Sequence, residues 1–222
     1  MIIDSKKTCL VLDLDDTLYQ EIDYQTSGLE FIEDSLSNLY GIDLKGQLIK
    51  FRDEGKDDIF SELIELYKLP LSIKDSIIHM YRYHMPKISL SKETKKFLEI
   101  TLNNFKYVVI LTDGRSITQR LKLNALGLEQ IPAYISEEWG SSKPEKKCFI
   151  EIMDNFKNSD YYCYIGDNPS KDFIAPNSLE WASFCVRGNN NIHSQSIKSI
   201  EAKNRPHYWL NNLTEFLSFA RI

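Results

Sequence analysis

The sequence lacks the marks of a metal-thiolate or disulfide scaffold. Its four cysteines, Cys9, Cys148, Cys163 and Cys185, are scattered, with no CxxC and no close histidine. They are expected as small core hydrophobes. Long apolar runs are missing too: the N-terminal one is cut by Asp13 and Asp15, too brief for a signal peptide, and no other stretch could span a bilayer. A reducing, cytoplasmic setting and no membrane partner are the expectation. There is no Gly-rich GxxxxGK loop for a nucleoside triphosphate, and the pairs Lys6 with Lys7 and Lys146 with Lys147 are too short for a nucleic-acid footprint. Positive charge is not in excess. A net charge of -5 and a pI of about 5.5 argue against a broad electrostatic grip on nucleic acid, so any phosphate must be held locally.

What is present suits a folded core. The chain has 222 residues, 42% hydrophobic and 27% charged, the balance of one or two folded domains. Short runs rich in β-branched, aromatic and aliphatic residues at 8–14 (TCLVLDL), 107–112 (YVVILT), 161–166 (YYCYIG) and 183–186 (SFCV) read as buried strands, with a weaker one at 133–135. Most do not alternate apolar with polar, as befits strands covered on both faces, and helical stretches such as 116–126 fall between them. The pattern predicts an α/β fold with a parallel sheet.

A long gap breaks this rhythm. Residues 21–90 hold amphipathic helical stretches at 29–39, 59–69 and 73–83 and no convincing strand, punctuated by Gly41, Gly46, Gly55 and Pro70. They predict a separate helical insert, residues 20–89, in a core formed by 1–19 and 90–222. A further helix over 91–104, with Ser91 or Thr94 as its cap, leads into the second strand. The one sizeable polar loop is 187–199.

The acids carry the chemistry. Asp13, Asp15 and Asp16 end the first strand, Asp113 follows the second, and Asp167 with Asp172 follows the fourth. In a parallel sheet the C-terminal strand ends share one edge, so these carboxylates converge. Clustered carboxylates repel one another unless a cation neutralises them, and a hard divalent ion such as magnesium, between carboxylates and a substrate phosphate, is the natural solution. Lys143 offers a second positive charge. Taken singly, an aspartate after a strand is more often a turn former or helix cap, and Lys143 a solvated loop lysine. Their joint order reverses that preference.

DLDDTL at 13–18, LTDG at 111–114, SKPE at 142–145 and GDNPSKD at 166–172 together resemble, in order and spacing, the four motifs of haloacid dehalogenase (HAD) superfamily hydrolases. The resemblance spans roughly residues 8–175 and includes a helical cap inserted after the first motif. It implies a Rossmann-like core of strand order 5-4-1-2-3 and the capped phosphatase branch. Asp13 then matches the nucleophile, forming an aspartyl-phosphate. Asp15 matches the general acid and base, and its presence argues against the simplest dehalogenase reading, since a departing halide needs no proton. Thr112, with backbone amides around Asp113 and Gly114, matches the phosphoryl-binding group, and Lys143 the bridging cation. Asp13, Asp15 (through its carbonyl), Asp167 and Asp172 match the magnesium site, Asp172 holding the metal's waters or positioning the lysine. Asp113 stands where asparagine is common.

The expected function is a magnesium-dependent phosphatase acting on a small phosphorylated metabolite, a sugar phosphate or nucleotide monophosphate. The alternatives are a phosphosugar mutase, or a non-catalytic phosphate-recognising regulatory protein that kept the fold. Tyr81, His84 and their neighbours are expected to pack rather than bind, and Arg115 to reach a substrate anion or cap a helix with equal ease.

Overall fold

A computed structural model describes residues 2–187 and 200–222; of the polar loop at 187–199, residues 188–199 lie outside that description. Six parallel strands form the main sheet. In chain order these are β2 (Thr8–Leu12), β3 (Tyr107–Thr112), β4 (Ala133–Ile135), β5 (Tyr161–Gly166), β6 (Ala182–Val186) and β7 (Tyr208–Leu210). Their spatial order is β4-β3-β2-β5-β6-β7. The five strands expected from sequence therefore run 5-4-1-2-3 as anticipated, and β7 extends the sheet beyond the fifth. Two short segments, β1 (Ile3–Asp4) and β8 (Ala220–Arg221), pair separately. β1, β7 and β8, each of two or three residues, went unread in the sequence.

The first strand stops two residues short of its apolar run. The Asp13 N–H still donates to the Ile165 carbonyl at 2.9 Å. Beyond it the chain turns, with Asp16 in the left-handed region at φ 55°, and Leu14 and Leu18 drop into the core. Alternate strand residues face opposite sides of the sheet. Leu10, Leu12, Ile110 and Ile165 pack on one side; Cys9, Val11, Val109 and Tyr164 pack on the other with Phe149 and Trp181. All four cysteines are buried and free, as expected of core residues. Burying each of the large side chains here is worth about 1.5–3 kcal/mol before ordering costs are counted.

Of the five α-helices between β2 and β3, the first four form the insert: α1 (Glu21–Tyr40), α2 (Gln47–Asp53), α3 (Ile59–Leu66) and α4 (Lys74–Tyr83). They close around their own apolar cluster, which includes Leu29, Ile32, Leu36, Leu48, Leu63 and Ile77. α1 begins eight residues before the periodic stretch and ends on Gly41 at φ 66°, whose N–H caps the Ser37 carbonyl. Within the stretches expected to be helical, Phe31, Leu39 and Leu66 are exposed. α1 and α4 approach so closely at Gly28 that a Cβ there would lie 2.7 Å from the Tyr81 ring. Tyr81 and His84 do pack, against Tyr24. No helix among the described residues is long and apolar enough to cross a membrane.

The remaining helices flank the sheet: α5 (Lys92–Asn104), α6 (Ser116–Leu126), the single turn α7 (Ser136–Trp139), α8 (Lys147–Asn155) and α9 (Ile174–Ser178). Of the two candidate caps for α5, Ser91 takes the role, accepting the Thr94 N–H at 3.0 Å. Trp139 stacks on Tyr134, and Trp181 is buried beside Phe149 and Tyr162.

Candidate active site

The parallel strands deliver the acids to one edge. β2 leads directly to Asp13, with Asp15 two residues on; β3 ends on Thr112, followed by Asp113; the segment after α7 brings Lys143; β5 leads to Asp167 and Asp172. Asp13, Asp15, Thr112, Asp113 and Asp167 line one small cavity of about 110 Å³, together with Lys171. Gly114 stands apart from it, and its N–H donates instead to the Ser136 hydroxyl at 2.9 Å.

Lys143 organises the buried centre. Its ammonium lies 2.7 Å from Asp13 Oδ1 and 2.9 Å from Asp172 Oδ1, and donates to the Tyr164 hydroxyl at 3.0 Å. Asp172 is satisfied on both oxygens, since Oδ2 accepts the Asn168 N–H at 2.9 Å. Gly166 permits this fold-back: a Cβ there would sit 2.6 Å from Asp172 Oδ2. Asp13 Oδ2 has a long contact of 3.5 Å from the Thr17 hydroxyl, so Thr17 orders the first loop. Burial works against the Lys143 charge, but Asp13 and Asp172 outweigh it and hold the ammonium well above its usual range.

The carboxylates are short of positive charge. Asp13, Asp167 and Asp172 each place one oxygen within 4.8 Å of the others, and one ammonium, Lys143, pairs with two of them. Asp167 Oδ2 is buried without a hydrogen-bond partner. Burial, then the neighbouring Asp13 and Asp172 charges, push Asp167 up to about 9. Burial likewise pushes Asp13 up to about 7, despite Lys143. Three clustered carboxyl groups served by a single ammonium, with one oxygen of Asp167 left without a partner, are a hard oxygen donor set that fits a divalent cation such as magnesium.

Asp15 is held differently. Its Oδ1 accepts from the Tyr19 hydroxyl at 2.5 Å and the Lys122 ammonium at 2.6 Å; Oδ2 accepts from Gln119 Nε2 at 2.8 Å. Gln119 also donates to Thr112 Oγ1 at 2.6 Å, tying Asp15 to the hydroxyl at the end of β3. Burial opposes the Asp15 charge, yet Lys122 and these hydrogen bonds together keep its carboxyl below the usual range.

The unusual Asp113 also has partners. Its Oδ1 accepts the Lys143 backbone N–H at 3.1 Å, and Oδ2 pairs with Lys171 at 3.0 Å. It therefore anchors the lysine loop, and its charge is offset. Lys171, Lys122, Gln119 and Tyr164 escaped the sequence reading. Lys171 sat inside GDNPSKD, and Gln119 and Lys122 share a helix face at a spacing of three, but nothing local shows that this face looks at Asp15.

A second cavity of about 560 Å³ adjoins the first, sharing Asp15, Glu21 and Asp113, and lies between the four-helix insert and α6. Another cavity, of about 860 Å³, opens at the opposite edge of the sheet around Tyr161, Tyr162 and Trp181 and holds none of the motif acids.

A doubly covered parallel sheet with a carboxylate-lysine centre at its C-terminal edge, and a helical insert beside it, defines a recognisable class of enzyme. The chain belongs to the haloacid dehalogenase-like hydrolase family, whose model matches residues 10–186. Solved structures with the same fold cover nearly the whole chain at low identity. A Bacillus subtilis protein, YfnB, described as a HAD hydrolase and bound to magnesium, is 18% identical with a TM-score of 0.69, covering 98% of this chain and 100% of its own. A 2-haloacid dehalogenase from Pseudomonas syringae is 18% identical with a TM-score of 0.61, covering 99% and 98%. A HAD phosphatase from Thermococcus onnurineus is 20% identical with a TM-score of 0.60, covering 97% and 100%. No curated protein matches by sequence.

Proposed function

We propose that this hydrolase is a magnesium-dependent phosphomonoesterase acting on a small phosphorylated metabolite, a sugar phosphate or nucleotide monophosphate. The observation that carries the reading is Asp15: a second carboxylate lines the same small cavity as Asp13, tied through Gln119 to Thr112. An alkoxide leaving from phosphorus needs a proton, whereas a halide does not.

In this reading Asp13 attacks phosphorus, the bond to the leaving oxygen breaks, and that oxygen takes a proton from Asp15. Water then attacks the aspartyl-phosphate, giving its proton back to Asp15 and releasing phosphate. Lys143 keeps Asp13 aligned and offers positive charge to the transferring group, and Asp172 positions Lys143. As it stands, Asp15 is in the base form that the second step needs. For the first step it takes up a proton as its contact with Lys122 gives way to the leaving oxygen. Asp13, the Asp15 carbonyl and Asp167 would hold magnesium, with Asp172 behind them; the ion would neutralise charge on the phosphoryl oxygens. Residues 20–89 act as the cap that shields the intermediate and selects the leaving group.

The test is phosphate release from p-nitrophenyl phosphate by metal-stripped protein, with and without magnesium, for the natural chain and Asp13→Asn. Magnesium-dependent turnover that falls by about 10⁴-fold or more in the variant is expected. Release of chloride from 2-chloropropionate with no phosphatase activity would overturn the reading.

A further inference from the structure

The 560 Å³ cavity is where the leaving group of such a substrate has to lie, because it continues from the reaction cavity past Asp15. Its charges sort into pairs. Lys122 is tied to Asp15, Lys74 to Asp58 at 2.5 Å, and Asp113 to Lys171. Two guanidinium groups remain: Arg82, on α4 of the insert, and Arg115, at the start of α6 in the core. Among the described residues neither has a hydrogen bond or ion pair through its side chain, and Arg115 makes no capping bond to its helix.

At the start of α6 the Ser116 N–H is engaged by Glu137 at 2.7 Å, and just ahead of the helix the Gly114 N–H donates to the Ser136 hydroxyl. The remaining acid in the cavity, Glu21, forms no ion pair with either arginine among the described residues. On a chain of net charge -5, the lining of this cavity carries as many basic as acidic side chains, four of each, and its two unpaired arginines come from two different parts of the fold. The same lining includes the apolar and aromatic side chains of Tyr24, Phe60, Ile78 and Tyr81.

We infer that Arg82 and Arg115 together form a receptor for a second anionic group on the substrate, a carboxylate or phosphate carried on the leaving group away from the ester being cleaved. Guanidinium forks match both anions with paired N–H donors. Because one arginine comes from the insert and one from the core, the anion also holds the two together over the reacting phosphate. The substrate class, a phosphate ester with a distal anion, rests on the phosphatase reading; the anion site itself does not.

The experiment separates the two by reading binding without turnover. Phenylphosphonate, 4-carboxyphenylphosphonate and 1,4-phenylenebisphosphonate are titrated calorimetrically into the natural chain with magnesium, and into Arg82→Ala, Arg115→Ala, Arg115→Lys and the double alanine variant. Thermal unfolding of each variant checks that it is folded. A distal anion is expected to tighten binding by about tenfold per arginine engaged, the preference vanishing in the double variant and partly surviving in Arg115→Lys. Whichever of the carboxylate and the second phosphonate gains more identifies the anion. Equal affinity for the three compounds, no binding of any of them, or a preference that persists in the double variant overturns the inference. A preserved preference alongside no phosphate release from phenyl phosphate supports the anion site and counts only against the phosphatase reading.

Discussion

Two regions of this molecule bury carboxylates, and they do so in opposite ways. In the helical insert Glu33 is 3% exposed, and both its oxygens are filled by backbone amides, Gly46 N–H at 2.7 Å and Leu48 N–H at 2.6 Å. It closes the start of α2 and leaves nothing over. At the sheet edge Asp167 is 6% exposed with one oxygen orphaned, and Asp13 shares its lysine with Asp172. Asp15 lies between these extremes, satisfied, but by side chains that can let go. Burial alone does not mark a functional acid; what completes its hydrogen bonds does.

The contrast breaks first at Glu33. Glu33→Ala leaves two buried amides unpaired and is expected to cost about 3 kcal/mol of stability, roughly a hundredfold in the folding equilibrium, read by urea unfolding. Turnover per folded molecule is expected to stay within a factor of two or so, since Glu33 touches neither cavity. A loss of activity without loss of stability would erase the distinction.

Asp15 sharpens it next. Lys122→Met keeps the bulk of the side chain but removes the charge that holds the Asp15 carboxyl low. A carboxyl with a depressed folded value contributes stability above its unfolded value and loses it as pH falls through the folded one. Without Lys122 that loss begins at higher pH, and the acid limb of the pH–rate profile moves up with it. A fall of about tenfold in kcat with little change in KM is expected. An unmoved acid limb would mean that Lys122 is only packing.

The smallest effect is the most diagnostic. Asp167, raised from 3.8 to about 9, favours its neutral form in the fold. Its contribution is fully present below about pH 4 and is lost as pH rises towards 9; Asp13, raised from 3.8 to about 7, adds to the decline over the lower part of that window. Metal-free protein is therefore expected to lose stability from mildly acidic to alkaline pH, and magnesium to restore it. Asp167→Asn should stabilise the metal-free protein at pH 8 by about 1 kcal/mol while abolishing the magnesium-induced rise in Tm. A destabilised variant would place Asp167 with Glu33, as a structural acid.

The sequence by itself determined the sheet and its acids. Apolar runs at 107–112 and 161–166 coincide with β3 and β5, and the order of the acids after their strands placed them on one edge, because parallel strands share a C-terminal side. Those features are local, or follow from one topological rule. The tertiary structure alone decided which side chains answer the acids. That Lys122 and Gln119 on α6 reach Asp15, that Lys171 neutralises Asp113, and that Arg82 of the insert and Arg115 of the core line one cavity depend on how helices far apart in the chain rotate and pack. A helix's period says which residues share a face; only packing against the rest of the fold says what that face sees.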